Sequence, residues 1–325
     1  MLPEGRSWLS RRSGRVDDWS LDQLVERKDD RRVSVGLPAR DEAETVGAIV
    51  AVIRDVLVER VGLVDEILVV DSCSVDATAA VAAAAGARVV AQDAVRPDLP
   101  AAEGKGEALW KGLIACTGDL VVAVDVDLRD FGPGFVTGLL GPLFDDPGVA
   151  FVKGFYHRPL IVGGGVDVDG GGRVSELLAR PLINLAWPAL AGFVQPLAGE
   201  FAARRELLEA IPFLTGYGVE LGMLVDVLDR VGLDAMAQVD LGVRVHRHHD
   251  LHTLGRMAAQ IQLAAAVRLE RDGVLVRLPV APTLVQFHRA DTPTADVLDR
   301  EVVVTDVAVT ERPPVRELLA GRPVA

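Results

Sequence analysis

Val121-Val122-Ala123-Val124-Asp125-Val126-Asp127 is an apolar run that ends in two carboxylates one residue apart. Gly118 precedes it and polar residues follow, so it reads as a buried parallel strand. Alternation along a strand sets Asp125 and Asp127 on the same side at its carboxyl end. Open α/β sheets bind ligands beyond that end. Two close carboxylates repel, so a proton or a cation is expected between them. A hard divalent cation with oxygen ligands suits the pair, and a nucleotide diphosphate is a common further ligand of such ions. The same spacing also serves phosphatases that use the first aspartate as nucleophile. Two solvated acids at a strand end are the plainest alternative.

The residues before this run repeat a strand–helix unit. Residues 32–37 read as a strand stopped by Pro38, with the loop Pro38-Ala39-Arg40-Asp41-Glu42 after it. Residues 44–59 carry Val46, Ile49, Val50, Ile53 and Leu57 on one helical face, with Asp41 as the expected N-cap. Residues 66–70 form a second strand ending in Asp71-Ser72-Cys73-Ser74-Val75-Asp76. Ser74 or Asp76 can cap the alanine-rich helix that follows, and Gly86 closes it. Residues 88–91 form a third strand. This alternation predicts a parallel sheet with right-handed crossovers. In Gly104-Lys105-Gly106-Glu107, two glycines let the backbone approach a ligand while the ammonium reaches a phosphate or base oxygen. A glycine-bounded turn with an exposed lysine explains that piece equally well.

After Asp127, residues 135–143 read as a helix and 149–156 as a strand. Gly170-Gly171-Gly172-Arg173 opens a helical run, 174–185, interrupted by Pro181. Backbone N–H groups at a helix start, with a bidentate arginine, suit a phosphate or carboxylate. Gln195-Pro196-Leu197-Ala198-Gly199-Glu200 leads into a strand or turn and then a helix. Gly216-Tyr217-Gly218-Val219-Glu220 opens the next helix, to Val231. Residues 240–247 read as a strand with Arg244 and His246 on one face. His248 and His249 follow, and one of these three histidines can serve as a metal ligand. Residues 253–269 form a helix, and the rest, with strand-like 302–309, reads as a wrapping tail. Residues 1–32, with Trp8 and Trp19, read as a loosely held arm ending in a short helix, 21–29.

Composition narrows the function. The chain has 325 residues, 50% of them hydrophobic, enough for one large α/β domain or two coupled halves. A net charge of −13 argues against nucleic acid as a partner. Two cysteines, Cys73 and Cys116, make neither a disulfide framework nor a metal spacing, so a reducing cytoplasm is the expected location. No signal peptide is expected, nor an integral membrane segment, since no window reaches the ~18 apolar residues a span needs.

Together these motifs resemble the glucosyl-3-phosphoglycerate synthases, retaining glycosyltransferases of the GT-A fold found in actinobacteria. The likeness runs from about Arg32 to Pro314. It rests on the 38–42 loop, the 71–76 loop, 104–110, Asp125-Val126-Asp127, 170–177, 195–200, 216–220 and Arg244-Val245-His246-Arg247, in that order. Each motif is widespread, whereas the ordered set is specific.

The resemblance implies a Rossmann-like, mostly parallel sheet flanked by helices. It implies an arm (1–31), a nucleotide-sugar-binding half (32–130), an acceptor-binding half (131–255) and a C-terminal helix and tail (256–325). Pro38, Ala39, Glu42, Ser72, Lys105, Asp125 and Val126 would hold UDP-glucose. Asp127 and His246 would ligate Mg²⁺ or Mn²⁺. Gly172, Arg173, Ser175, Arg244 and His248 would hold 3-phosphoglycerate. Glu220, Tyr217 and the Leu197 carbonyl would face the reacting carbon. A homodimer is implied too. Arg40-Asp41 stands where the family commonly has an apolar residue and Asn, and His248 where Asn is common. Three other readings stay open: the phosphatase, a non-catalytic nucleotide-sugar-binding protein, and the mannosyl counterpart using GDP-mannose.

Overall fold

The computed structural model describes residues 2–157, 160–162, 165–167, 172–244, 250–275, 283–289 and 300–319. Its centre is an eight-stranded sheet. The strands are β1 (Ser13–Arg15), β2 (Val33–Ala39), β3 (Glu66–Asp71), β4 (Arg88–Ala91), β5 (Leu120–Ala123), β6 (Phe151–His157), β7 (Phe201–Arg204) and β8 (Met236–Val243). Their spatial order is β1-β8-β6-β7-β5-β2-β3-β4. All neighbours are parallel except β7, which is antiparallel to both β5 and β6.

The apolar run 121–127 therefore pairs two ways. Val122 lies opposite Val35 in the parallel ladder and opposite Ala202 in the antiparallel one. Pairing stops at Ala123, and Asp125 and Asp127 lie past the strand end. The run stays apolar because Val124 and Val126 are still buried in the core.

Period-two alternation divides the core into two layers. Val33, Val35 and Leu37 of β2, Ile67 and Val69 of β3, and Leu120 and Val122 of β5 face one layer. Leu68, Val70, Val121 and Ala123 face the other. The predicted stripe Val46, Ile49, Val50, Ile53 and Leu57 is wholly buried in the first layer. Its helix is α-helical over Val46–Val52 and continues as a π-helix over Ile53–Arg60.

Two expectations are corrected. The N-terminal arm is docked, not loose. Trp8 is fully buried, its ring centroid lies 4.5 Å from that of Phe193, and its indole N–H donates to the Met236 carbonyl at 2.9 Å. β1 then extends the sheet beside β8, and the Trp19 indole donates to Asp145 at 2.5 Å. The arm's charged residues conceal this, but its two indoles are large apolar surfaces that need cover. The strand expected at 240–247 instead runs Met236–Val243, with a register break between Asp240 and Val243. Arg244 therefore follows the strand, and 245–249, with His246, His248 and His249, lie outside the described residues.

The tail returns to the body. Thr283–Arg289 and Arg300–Asp306 form an antiparallel hairpin, and Glu311–Arg312 pairs with Phe213–Leu214. Arg312 makes a bidentate contact with the fully buried Glu107, at 2.7 and 2.8 Å, on the helix Lys105–Ala115.

Trp8→Ala should cost about 3–5 kcal/mol of stability, the usual range for emptying a buried indole site. Urea unfolding checks this, and a change under about 0.5 kcal/mol, the size expected at an undocked surface position, would restore the loose arm.

Candidate functional site

Two loops at the carboxyl ends of β2 and β3 are tied together by side chains. Asp41 has φ +55°, a left-handed conformation that Asp and Asn tolerate better than most residues. Its amide donates to Ser74 Oγ at 3.0 Å and its Oδ1 accepts from the Val75 amide at 2.8 Å. Asp41 therefore does not cap the next helix, contrary to the expectation; it fastens one loop to the other. Both Asn and Asp can do so, which explains how the departure at this position is accommodated. Asp76, not Ser74, accepts the Thr78 amide at the head of the alanine-rich helix, at 2.9 Å. Thr78 Oγ1 in turn accepts the Glu42 amide at 2.8 Å.

Beyond the strand ends lies a cleft of about 660 Å³. Pro38, Ala39, Glu42, Ser72, Lys105, Asp125, Val126 and Asp127 line it. So do Gly172, Arg173, Ser175, Leu197, Tyr217, Glu220 and Arg244. Every site residue expected from the sequence that the structure describes is thus in one cavity; His246 and His248 are outside the described residues.

The floor is a network of buried charges. Lys105 Nζ lies 2.5 Å from Asp125 and 3.1 Å from Glu220. Arg244 reaches Asp127 at 2.6 Å, Asp125 at 3.3 Å and Glu200 at 2.7 Å, and donates to the Tyr156 hydroxyl at 2.5 Å. Burial alone would push Lys105 toward the neutral form, but Asp125 and Glu220 outweigh it and raise its pKa. Burial would likewise raise Asp125, and Lys105 and Arg244 reverse this and hold it well below the carboxylate range. Glu200 is raised, by burial first and by Asp125, against the pull of Arg244.

Several members of this network escaped the sequence reading. Gly199 is pressed against the ion pair, and a Cβ there would sit 2.2 Å from Lys105 Nζ and 2.3 Å from Asp125. Lys153, in β6, is fully enclosed beneath the floor and donates to the Ala198 carbonyl at 2.7 Å. Burial pushes its pKa down to about 8. Its signal was a single lysine inside an otherwise apolar strand, where an ammonium needs a dedicated partner. The helix Leu251–Arg271 supplies Leu254, Met257, Gln260 and Ile261 as a further wall. Gln260 Oε1 accepts the Tyr217 amide at 3.0 Å. Gly104 and Gly216 meet so closely that a Cβ on Gly104 would lie 2.7 Å from the Gly216 Cα.

Among the described residues no group of three or more His, Cys, Asp and Glu is gathered as a metal site. Asp125 and Asp127 nevertheless line the cleft as hard oxygen donors, which suit Mg²⁺ or Mn²⁺. Arg244 supplies the counter-charge between them. Its guanidinium is held by three carboxylates and a phenol, and it lines the cleft.

With this geometry in view, the likeness to known proteins is direct. The model of glycosyl transferase family 2 matches residues 34–164. The glucosyl-3-phosphoglycerate synthase of Mycolicibacterium smegmatis is 47% identical over 314 residues, covering 97% of this chain and 99% of its own. The chain belongs to the glucosyl-3-phosphoglycerate synthase family. Within that family's solved structures, a Mycobacterium tuberculosis synthase in complex with Mn²⁺, uridine diphosphate and glucosyl-3-phosphoglycerate superposes with a TM-score of 0.79. The two are 43% identical, over 92% of this chain and 96% of that one. A mannosyl-3-phosphoglycerate synthase from Rubrobacter xylanophilus superposes with a TM-score of 0.87, at 44% identity, over 97% of this chain and 98% of that one. The protein is an α/β glycosyltransferase, which removes the phosphatase and non-catalytic alternatives.

Lys153 gives the fold a definite pH dependence. Its folded pKa, about 8, lies below the ordinary 10.5, so the folded state binds fewer protons than the unfolded state between those values. Its ammonium therefore opposes folding below pH 8, by on the order of 3 kcal/mol, and this cost fades as pH rises to 10.5. Relative to Lys153→Met, the wild type should gain stability across that window in denaturant titrations. Parallel curves would show that the lysine is not desolvated.

Proposed function

We propose that this protein transfers glucose from UDP-glucose to the hydroxyl of 3-phosphoglycerate with retention at the anomeric carbon. The observation that carries the reading is one cleft with two chemically different ends. The Lys105–Asp125–Arg244–Asp127 network forms its floor, and Gly172, Arg173 and Ser175 line the same cavity. The relatives' names and the ligands of the M. tuberculosis complex support the same assignment.

In this reading Pro38, Ala39, Glu42, Ser72, Lys105, Asp125 and Val126 bind the nucleotide sugar. Asp127 and Asp125, with His246, would hold Mg²⁺ or Mn²⁺; such an ion neutralises the diphosphate leaving group. Gly172 has φ +72°, and its turn leads into the helix over which Arg173 and Ser175 receive the acceptor's phosphate and carboxylate. Arg244 and His248 complete that end. The bond from the anomeric carbon to the diphosphate breaks as the acceptor oxygen bonds to the same face, and the hydroxyl proton passes to the leaving diphosphate. The Leu197 carbonyl and Glu220 supply negative potential to the oxocarbenium-like centre, and Tyr217 covers it. Asp127 can give its carboxylate either to Arg244 or to a dication, so Arg244 can turn to the acceptor once the donor site is filled.

The R. xylanophilus likeness favours GDP-mannose as the second donor to test. The reading extends to a cytoplasmic homodimer. No helix among the described residues is long and apolar enough to cross a membrane, and Cys73 and Cys116 are free thiols. Sedimentation would check the dimer.

The deciding experiment is a donor-by-acceptor activity grid with added Mg²⁺. UDP-glucose with 3-phosphoglycerate should turn over fastest; faster turnover with GDP-mannose would move the assignment to mannosyl transfer. Arg173→Ala should raise the acceptor KM about tenfold, the loss expected for one charged hydrogen bond. Lys105→Ala should instead weaken the donor. Equal effects of both on both substrates would refute the two-ended cleft.

A further inference from the structure

Ser72, which lines the cleft, follows β3 and is 6% exposed. Its amide donates to the Ala39 carbonyl at 2.8 Å. Behind it stands Gln92, at the start of the short helix Gln92–Ala94 that follows β4, and only 1% exposed. Gln92 Nε2 donates to the Ala102 carbonyl at 3.1 Å, and Gln92 Oε1 lies 2.8 Å from Ser72 Oγ. This chain of contacts has one consistent assignment of protons. The Ala102 carbonyl can only accept, so the amide nitrogen must face it. The amide oxygen facing Ser72 can only accept as well, so the serine hydroxyl must donate inward. The hydroxyl has a single proton, and toward the cleft it presents lone pairs alone.

We infer that Gln92, by fixing the Ser72 hydroxyl as an acceptor, makes the donor site selective for a nucleoside diphosphate whose base carries a ring N–H. This rests on the proposed binding of a nucleotide sugar by Ser72, and the inference adds that the Ser72 hydroxyl meets its base. Uracil, with N3–H, and guanine, with N1–H, present a donor on that edge. Cytosine and adenine present a bare ring nitrogen at the matching position, and two facing acceptors repel in a partly desolvated site. Gln92 touches no substrate. It is a positioning residue, and what it sets is a ratio of affinities, not the overall strength of binding.

UDP and CDP isolate the effect, since their bases differ only at N3 and at the C4 substituent. Calorimetric titration of the full-length protein in Mn²⁺ should give UDP at least about tenfold tighter than CDP. In Gln92→Met the hydroxyl can turn outward and donate, and the ratio should fall to roughly threefold or less, with UDP weakened and CDP strengthened. Ser72→Ala, which removes the hydroxyl, should lose the ratio by weakening UDP and relieving the repulsion of CDP, and it carries the test if the methionine variant does not fold. A ratio kept in both variants, or near one in the wild type, would overturn the inference. Binding of neither nucleotide by the wild type would overturn the nucleotide-sugar reading itself, and the inference with it.

Discussion

Three carboxylates that line one cleft, Asp125, Asp127 and Glu220, and the fully buried Glu200 beneath them are held together by Lys105 and Arg244. The rest of the site depends on that balance. Like charges gathered in a partly buried site repel, and each cation contacts at least two of the acids. Removing one cation would leave buried acids uncompensated, which is far more costly than removing a surface pair. In the proposed reading the network is also where substrate charge enters. A metal-bound diphosphate would bring new cation and anion pairs to the same atoms, making binding an exchange of partners within a prearranged field.

The sheet's one reversal makes the network possible. β7 runs antiparallel between β5 and β6, so the segment entering it carries Gly199 and Glu200 beside the end of β5, where Asp125 and Asp127 emerge. Gly199 is small enough to lie against the Lys105–Asp125 pair, and the buried Lys153 pins the Ala198 carbonyl from below. On the opposite wall the tail holds the helix that begins at Lys105, through Arg312 on Glu107 and the Trp110 indole on the Pro313 carbonyl at 2.9 Å. The helix that brings Lys105 to the cleft is thus fixed by residues from the last part of the sequence.

Much of this was readable in the sequence, for physical reasons. The short apolar runs in 66–70 and 121–124 suit strands buried on both faces of a sheet, and the structure buries both faces. Asp125, Asp127, Lys105 and Arg173 were readable from their types and places, whereas Pro38, Ala39, Glu42, Ser72, Leu197, Tyr217 and Glu220 came from the family resemblance alone. The reversal at β7 was not readable, because the four residues Phe201–Arg204 are too few for a pattern that distinguishes parallel from antiparallel pairing. The face of the helix Leu251–Arg271 was hidden too, since Leu254, Met257 and Ile261 repeat at the spacing of ordinary core. Docking of the arm depended on Trp8 finding Phe193 and Met236, contacts far beyond any local window.

The central claim is that the floor network is completed by a dication and a nucleoside diphosphate together. Titrating UDP into the protein with Mn²⁺ present, and again with the metal removed by chelator, tests it most directly. The account predicts binding at least about tenfold tighter with the metal, and loss of that difference in Asp127→Ala. Equal affinity with and without metal in the wild type would contradict it.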